Sequence, residues 1–261
     1  MNTQEKIEYI VNWLTSQLKQ SGMKGFVVGV SGGIDSAVVS TLCAKTGMPT
    51  LFVGMPIHRG GNDAFDEAFV RSSRHRLDSK EKYKNVETVI IDLSTTYNDF
   101  RDKFADENTS EMALVNSKAR LRMTALYQLS AARGYLVVGT GNKVEDFGIG
   151  FFSKYGDGGV DLSPIGDLYK SEVYELGRQL GVNDDILNAT PIDGLWDDNR
   201  SDEKQIGATY DELENIMKKM NLIDEQTYHK LTDREKEVLN VYTKHRNKNM
   251  HKMIPIPVCK F

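Results

Sequence analysis

What the chain lacks removes several classes of protein. Its two cysteines, Cys43 and Cys259, lie far apart without a Cys-x-x-Cys partner, which argues against a disulfide scaffold or a zinc knuckle. The five histidines show no metal-ligand spacing. No apolar run is long enough to span a bilayer, and Met-Asn-Thr-Gln-Glu-Lys at the start is no apolar signal segment, so a cytoplasmic location is expected. Positive charge is not in surplus. Lys and Arg number 33 against 37 Asp and Glu, a net charge of −4, which argues against a nucleic-acid footprint over the whole surface. A triphosphate ligand would then need locally placed Lys and Arg. There is no Gly-x-x-x-x-Gly-Lys-Ser/Thr, so the common NTPase loop is absent, and no internal repeat or low-complexity tract occurs. With Gly and Pro unremarkable, 39% hydrophobic and 27% charged residues fit one globular α/β domain of 261 residues.

What is present centres on residues 26–37, Phe-Val-Val-Gly-Val-Ser-Gly-Gly-Ile-Asp-Ser-Ala. The short β-branched run Phe26-Val27-Val28 with Val30 favours a strand buried on both faces. Ser31-Gly32-Gly33 breaks it, and Ala37-Val38-Val39 with Leu42-Cys43-Ala44 continues at helical spacing, Cys43 reading as a small core residue. A Gly- and Ser-rich turn entering a helix N-terminus offers unpaired N–H groups and the positive end of the helix dipole, which is an anion site. Adjacent glycines let a phosphate approach the backbone without meeting a Cβ. Ser31 and Ser36 add hydroxyls, and Asp35 puts a hard oxygen where a Mg²⁺ on that phosphate needs one. An ordinary strand–turn–helix explains a lone Gly-Gly; it does not explain all these residue types together.

The rest of the chain alternates. Residues 3–20 carry Ile7, Ile10, Val11, Leu14 and Leu18 at helical spacing behind a Thr3 cap. Strands are predicted at 50–54, 86–91 and 135–139, and helices from the loop to about Lys45, over 63–76, from about Thr95, over 111–133 and over 169–180. The cluster Arg71, Arg74, His75 and Arg76 reads first as a solvated face, with a phosphate or subunit contact second. Gly156-Asp157-Gly158-Gly159 reads as a mobile loop, and 190–205 as an irregular connection. Helices over about 209–220 and 224–247 precede the tail Ile254-Pro255-Ile256-Pro257. The pattern predicts a doubly wound parallel sheet with a helical C-terminal extension. Residues 1–261 form a single domain in this reading: a leading helix at 3–20, an α/β core at 24–190 that carries the anion-site loop, and the extension at 200–261. Ligands of such sheets bind beyond the carboxyl ends of the strands where strand order reverses, which places the crevice between the loops after the first and fourth strands.

SGGIDSA resembles the signature of the PP-loop ATP pyrophosphatases, which split ATP between its α and β phosphates. By itself that loop does not choose among them. The segments Lys118-Ala119-Arg120-Leu121-Arg122-Met123, Gly139-Thr140 with Glu145, and 151–161, Phe-Phe-Ser-Lys-Tyr-Gly-Asp-Gly-Gly-Val-Asp, resemble the bacterial NAD synthetase family. So do Lys170 at a helix start and His251-Lys252 before the tail. The ammonia-dependent form is expected, since glutamine-using members carry a large further amidase domain and this chain begins almost at the synthetase part. The resemblance implies that Gly29, Val30, Ser31, Gly32, Gly33, Ile34, Asp35 and Ser36 hold ATP, with Thr140 and Lys170. It implies Mg²⁺ on Asp35 and Glu145, and deamido-NAD on Arg120, Lys154, Asp161, His251 and Lys252. Asp35, Lys154 and Lys170 would carry the chemistry, and Asp157 is our candidate for receiving ammonium. A homodimer is implied, with no nucleic-acid or membrane partner.

Two departures from the family pattern stand out. Ile192 follows Pro191 where a Thr or Ser hydroxyl for ATP is usual, leaving Thr190 as the hydroxyl at hand. One extra residue also separates Glu145 from Lys154. Two other readings compete. One is a tRNA-modifying thiolase or lysidine-type synthetase: such thiolases usually need paired catalytic cysteines, and the acidic net charge argues against tRNA. The other, a nucleotide-sensing module, would not need Asp35, Glu145 and the Lys154 loop together.

Overall fold

The structure, a computed structural model, describes residues 1–57, 67–107, 109–191, 201–222 and 228–261. Strands β1 (Gly25–Gly29), β2 (Thr50–Gly54), β3 (Val86–Ile90) and β4 (Tyr135–Val138) form one parallel sheet in the order β3-β2-β1-β4. The chain thus runs outward from β1 to β3, then returns to lay β4 on the other side of β1. That reversal is the switch point, and it lies between the loops that follow β1 and β4.

Side-chain alternation along each strand separates two cores. Phe26 and Val28 face α1 (Thr3–Ser21), α2 (Ile34–Lys45) and α6 (Lys170–Leu180), where they pack with Leu14, Leu42 and Leu176. Val27, Leu51 and Val53 face Leu126 and Leu129 of α5 (Glu111–Arg133). Helix α1 buries Ile7, Ile10, Leu14 and Leu18, each contributing roughly 1.5–3 kcal/mol. Its cap is Asn2 rather than the expected Thr3, because the Asn2 side chain accepts from the Glu5 N–H while Glu5 accepts from the Asn2 N–H. Cys43 is buried, as expected of a core residue.

Helix α3 (Glu67–Lys82) corrects the reading of its basic cluster as a solvated face. His75 and Arg76 are buried, because they cover the β2–β3 side of the sheet where the sequence supplies few large apolar side chains. The Arg76 guanidinium donates to Ser72 Oγ, Ser73 Oγ and Thr88 Oγ1 and lies against Gly54, where a Cβ would crowd it. His75 stacks on Phe52, and its Nε2 is 2.9 Å from Ser40 Oγ.

Burial, modified by the nearby charges of Asp78, Arg76 and Asp185, pushes the His75 imidazole down to about 4. Unfolded histidine titrates near ~6.5, so as pH falls the unfolded chain takes the proton first. The stabilisation is complete above about 6.5 and is lost progressively down to about 4, to the extent of about 3 kcal/mol. The melting temperature should therefore fall across that window, and a His75→Asn variant should lose that part of the slope. An unchanged slope in the variant would assign the acid sensitivity elsewhere.

The remaining elements are α4 (Ser94–Asp102), a π-helical segment (Lys143–Ile149), α7 (Asp184–Leu187), α8 (Asp202–Ile206), α9 (Tyr210–Lys219), a 3₁₀ turn (Met220–Leu222) and α10 (Asp233–Met253). Helices α9 and α10 bury Leu213, Ile216, Val238 and Tyr242 against Val144 and Ile149 of the π-helical segment. The last helix begins and ends later than the predicted 224–247. Thr232 caps it, and it continues to Met253; residues 223–227 lie outside the described ones. Within 190–205, α8 is regular rather than irregular, capped by Ser201.

Candidate active site

Beyond the carboxyl ends of β1 and β4 opens a crevice of about 350 Å³, lined by residues of the 29–36 loop, by Gly139-Thr140-Gly141 and by Lys170. The loop holds its own shape through hydroxyls. Ser31 N–H donates to Ser36 Oγ at 3.1 Å, Gly33 N–H to Ser31 Oγ at 3.3 Å, and Ser36 Oγ to the Gly33 carbonyl at 3.0 Å. Gly32 sits at φ +91°, where a Cβ would also run into the Ala68 carbonyl, so only glycine fits there. The first intrahelical bond of α2 is Ala37 N–H to Gly33 O, which leaves the N–H groups of Ile34, Asp35 and Ser36 ahead of it, at the crevice wall. This is the geometry of a phosphate cradle.

At the crevice floor, a buried ammonium is gripped by two carboxylates. Lys170 Nζ donates to Asp35 Oδ2 at 2.6 Å and to Glu145 Oε1 at 2.9 Å. Asn142, fully buried, donates Nδ2 to Asp35 Oδ1 at 3.1 Å, while its Oδ1 accepts from the N–H groups of Val144 and Glu145. It thereby caps the π-helical segment and ties the two acids together. Burial alone would lower Lys170, but the facing Asp35 and Glu145 outweigh it and hold the amine protonated. Burial raises the Asp35 carboxyl, opposed by Lys170 and reinforced by Glu145. Burial opposes ionisation of Glu145 as well, yet Lys170 and the Tyr210 hydroxyl bring it below the usual range. Two further carboxylates, Asp146 and Asp157, open onto the same crevice. Burial, then Asp157, Glu145 and Asp35, push Asp146 well up; Asp157 keeps solvent contact, but its confined surroundings raise it too.

This donor set fits Mg²⁺. Two hard carboxylates already converge on a cation, and the surrounding acids leave negative charge in excess of Lys170. Among the described residues no group of three or more His, Cys, Asp or Glu is arranged to hold a metal. A Mg²⁺ bound through one or two carboxylates, with its other positions left to phosphate oxygens and water, needs no such group.

The residues expected to hold the acceptor gather beside the crevice, on the 150–161 loop. Arg120 Nε donates to the Lys154 carbonyl at 3.2 Å, and Lys154 Nζ donates to the His251 carbonyl at 2.8 Å. Lys252 Nζ donates to the carbonyls of Gly150 and Phe152. Asp161 is engaged internally, accepting from Tyr127 Oη and the Val137 N–H. Tyr127 and Arg120 are seven residues apart on α5, about two turns, so they share a face of that helix. The 156–159 segment is a series of turns closed by Gly156 N–H to Ser153 O and Gly159 N–H to Gly156 O, with Asp157 Oδ1 accepting from Ser153 N–H. Next to Lys154, Tyr155 adopts φ 61°, a conformation that a bulky residue seldom takes and that often marks a functional loop.

Several site residues escaped the sequence reading. Arg122 lines the crevice and donates to the Met55 carbonyl, while Arg120 points to the outer loop. Two helical positions differ by about 200°, so the periodicity of KARLRM already separated them. Arg71 lines the crevice as well, donating to the Gly32 carbonyl, which leaves the solvated-face reading to Arg74 alone within its cluster. Tyr210 Oη donates to Glu145 Oε1 at 2.6 Å from far along the chain, and no local pattern marked it. Thr190 lines the crevice; Ile192 lies outside the described residues, as does Trp196.

Comparison with known proteins places this arrangement. The profile of the NAD synthase family matches residues 6–255. The chain is similar to an NH₃-dependent NAD⁺ synthetase of Carboxydothermus hydrogenoformans, 38% identical over 222 residues, 83% of this chain and 86% of that one. Among solved structures it is similar to an NMN synthetase from Francisella tularensis, with 30% identity, full coverage of both chains and a TM-score of 0.84. It is similar also to an NH₃-dependent NAD synthetase from Campylobacter jejuni in complex with a nitrate ion, with 27% identity, full coverage of both and a TM-score of 0.79.

Proposed function

The chain belongs to the NAD synthase family, and from that premise we propose how its crevice divides the work of the reaction. The enzyme is an ATP-consuming, ammonia-dependent ligase that amidates deamido-NAD to NAD, the last step of NAD biosynthesis. The observation that carries our assignment is the buried Asp35–Lys170–Glu145 cluster at the mouth of a loop shaped for phosphates.

ATP lies along residues 29–36 with its phosphates on the first turn of α2, Thr140 on the opposite wall. Asp35 and Glu145 would hold Mg²⁺, which when bound neutralises the phosphate oxygens. Lys170 bridges the carboxylates and, with Lys154, offers cationic charge to the pyrophosphate as it leaves. Deamido-NAD is held by Arg120, Lys154, Asp161, His251 and Lys252, and its nicotinate carboxylate attacks the α-phosphorus. The bond to the bridging oxygen breaks and pyrophosphate departs, leaving an acyl adenylate. Ammonia then attacks the acyl carbon, AMP leaves with the bonding pair, and the new amide nitrogen releases its surplus proton to solvent. Asp157 receives ammonium and takes its proton; a carboxyl raised from the usual range is the better base for that task. Closure of 148–161 over the crevice keeps water from the adenylate. We read residues 1–261 as one domain and the enzyme as a cytoplasmic homodimer that binds neither nucleic acid nor membrane. No helix among the described residues is long and apolar enough to cross a bilayer.

Incubation with ATP, Mg²⁺, ammonium and deamido-NAD should yield NAD, AMP and pyrophosphate in equal amounts. ADP and orthophosphate as products would overturn the assignment. Because a structural neighbour is an NMN synthetase, deamidated nicotinamide mononucleotide is the control acceptor and should react more slowly. Faster turnover with the mononucleotide would reassign the acceptor while leaving the ATP chemistry intact.

Arg120→Ala should raise the KM for deamido-NAD about tenfold, as expected for one charge-assisted hydrogen bond, with the KM for ATP changed far less. Equal effects on both would mean that Arg120 only supports the Lys154 loop.

A further inference from the structure

One face of α9 touches both halves of the charged cluster, although α9 carries none of the residues assigned to the reaction. Tyr210 and Glu214 are one helical turn apart on it, and both are buried. The Tyr210 hydroxyl donates to Glu145 Oε1 at 2.6 Å, the same oxygen that receives Lys170, while the ring lies 4.9 Å from the Lys170 ammonium. Glu214 accepts from the Ser171 N–H and from Ser171 Oγ, both at 2.8 Å, and so pins the first turn of α6, where Lys170 stands. The helix is itself anchored. Thr209 and Glu212 form its capping box, the Arg234 fork of α10 donates to both Glu212 oxygens, and the Tyr210 N–H donates to Glu203 of α8.

We propose that α9 is a positioning clamp for the metal site, with Tyr210 orienting Glu145 and Glu214 fixing the helix start that presents Lys170. The inference rests on the assignment of Glu145 as a Mg²⁺ ligand. A ligand carboxylate free to rotate binds a cation weakly; one whose Oε1 is held by both the Tyr210 hydroxyl and the Lys170 ammonium presents its other oxygen, Oε2, in a single direction. The C-terminal extension thereby becomes part of the ATP site without touching ATP.

Binding of Mn²⁺ to the full chain, followed by electron paramagnetic resonance with α,β-methylene-ATP present, tests this. Three variants are compared with wild type: Tyr210→Phe, Glu214→Gln and Glu145→Gln. Tyr210→Phe keeps the ring over Lys170 and removes only the hydroxyl. It should weaken Mn²⁺ binding roughly tenfold, while metal-free binding of the analogue and the melting temperature stay near wild type. Glu214→Gln should weaken Mn²⁺ several-fold with the same selectivity. Glu145→Gln should lose Mn²⁺ binding almost entirely. If Glu145→Gln binds Mn²⁺ like wild type, the metal assignment fails and the clamp with it. If Glu145→Gln loses the metal but Tyr210→Phe retains it in full, the assignment stands and the clamp is overturned. Parallel loss of metal, analogue and thermal stability in Tyr210→Phe would also overturn it, since that is the signature of a packing role.

Discussion

Replacing Asp35 by Asn should reduce turnover at least about 10²–10³-fold while leaving the melting temperature close to wild type. The side chain sits in the first turn of α2, at the junction of three partners: Lys170 on Oδ2, Asn142 on Oδ1, and Glu145 across the shared ammonium. Asparagine keeps its volume, so the loop and α2 lose no packing. It also removes a charge that burial already disfavours, which offsets much of the lost attraction to Lys170. What disappears is the anionic oxygen that a Mg²⁺ on ATP requires. Formation of AMP and NAD across a Mg²⁺ series, beside a thermal melt, separates the two effects. Full activity of the variant at limiting Mg²⁺ would contradict a metal role for Asp35.

Lys170→Met should be costly to the fold as well as to the reaction. The ammonium is almost inaccessible to solvent, and the Asp35 and Glu145 side chains keep only 17% and 16% exposure. Without it, two buried carboxylates confront each other with no counter-charge. Breaking such a pair costs about 3–5 kcal/mol, which for a chain of this length lowers the melting temperature by about 10 °C. The sign of the metal response is the informative part. Mg²⁺ supplies the missing positive charge, so it should raise the melting temperature of Lys170→Met more than that of wild type. A variant that melts within about 2 °C of wild type would show that the carboxylates are neutralised by other means.

How much of this was legible beforehand depends on the range of the signal. The 26–37 stretch announced its strand, turn and helix because all three arise from residues in immediate succession, and it folds as read. The parallel sheet and the crevice at the reversal of strand order followed from alternating strand and helix patterns. Arg76 and His75 show the limit of that approach. Charge in a sequence suggests solvent, but Thr88 and Phe52 of the sheet and Ser40 of α2, with Ser72 and Ser73 one turn back on the same helix, make these two side chains part of the interior. Thr3 yielded its cap to Asn2 for a smaller reason of the same kind, since capping is decided by which oxygen reaches the third N–H of the helix.

By itself the sequence determined the fold class, the strand–turn–helix that carries Asp35, and the family pattern of segments from that loop to the C-terminal tail. Those depend on backbone conformation and hydrophobic period, which neighbouring residues dictate. Only the tertiary structure decided that Asp35, Asn142, Glu145, Lys170 and Tyr210 meet at one point. They lie up to 175 residues apart in the chain, and whether such charges pair depends on the packing of α2, α6, α9 and the π-helical segment, a geometry no local spacing encodes.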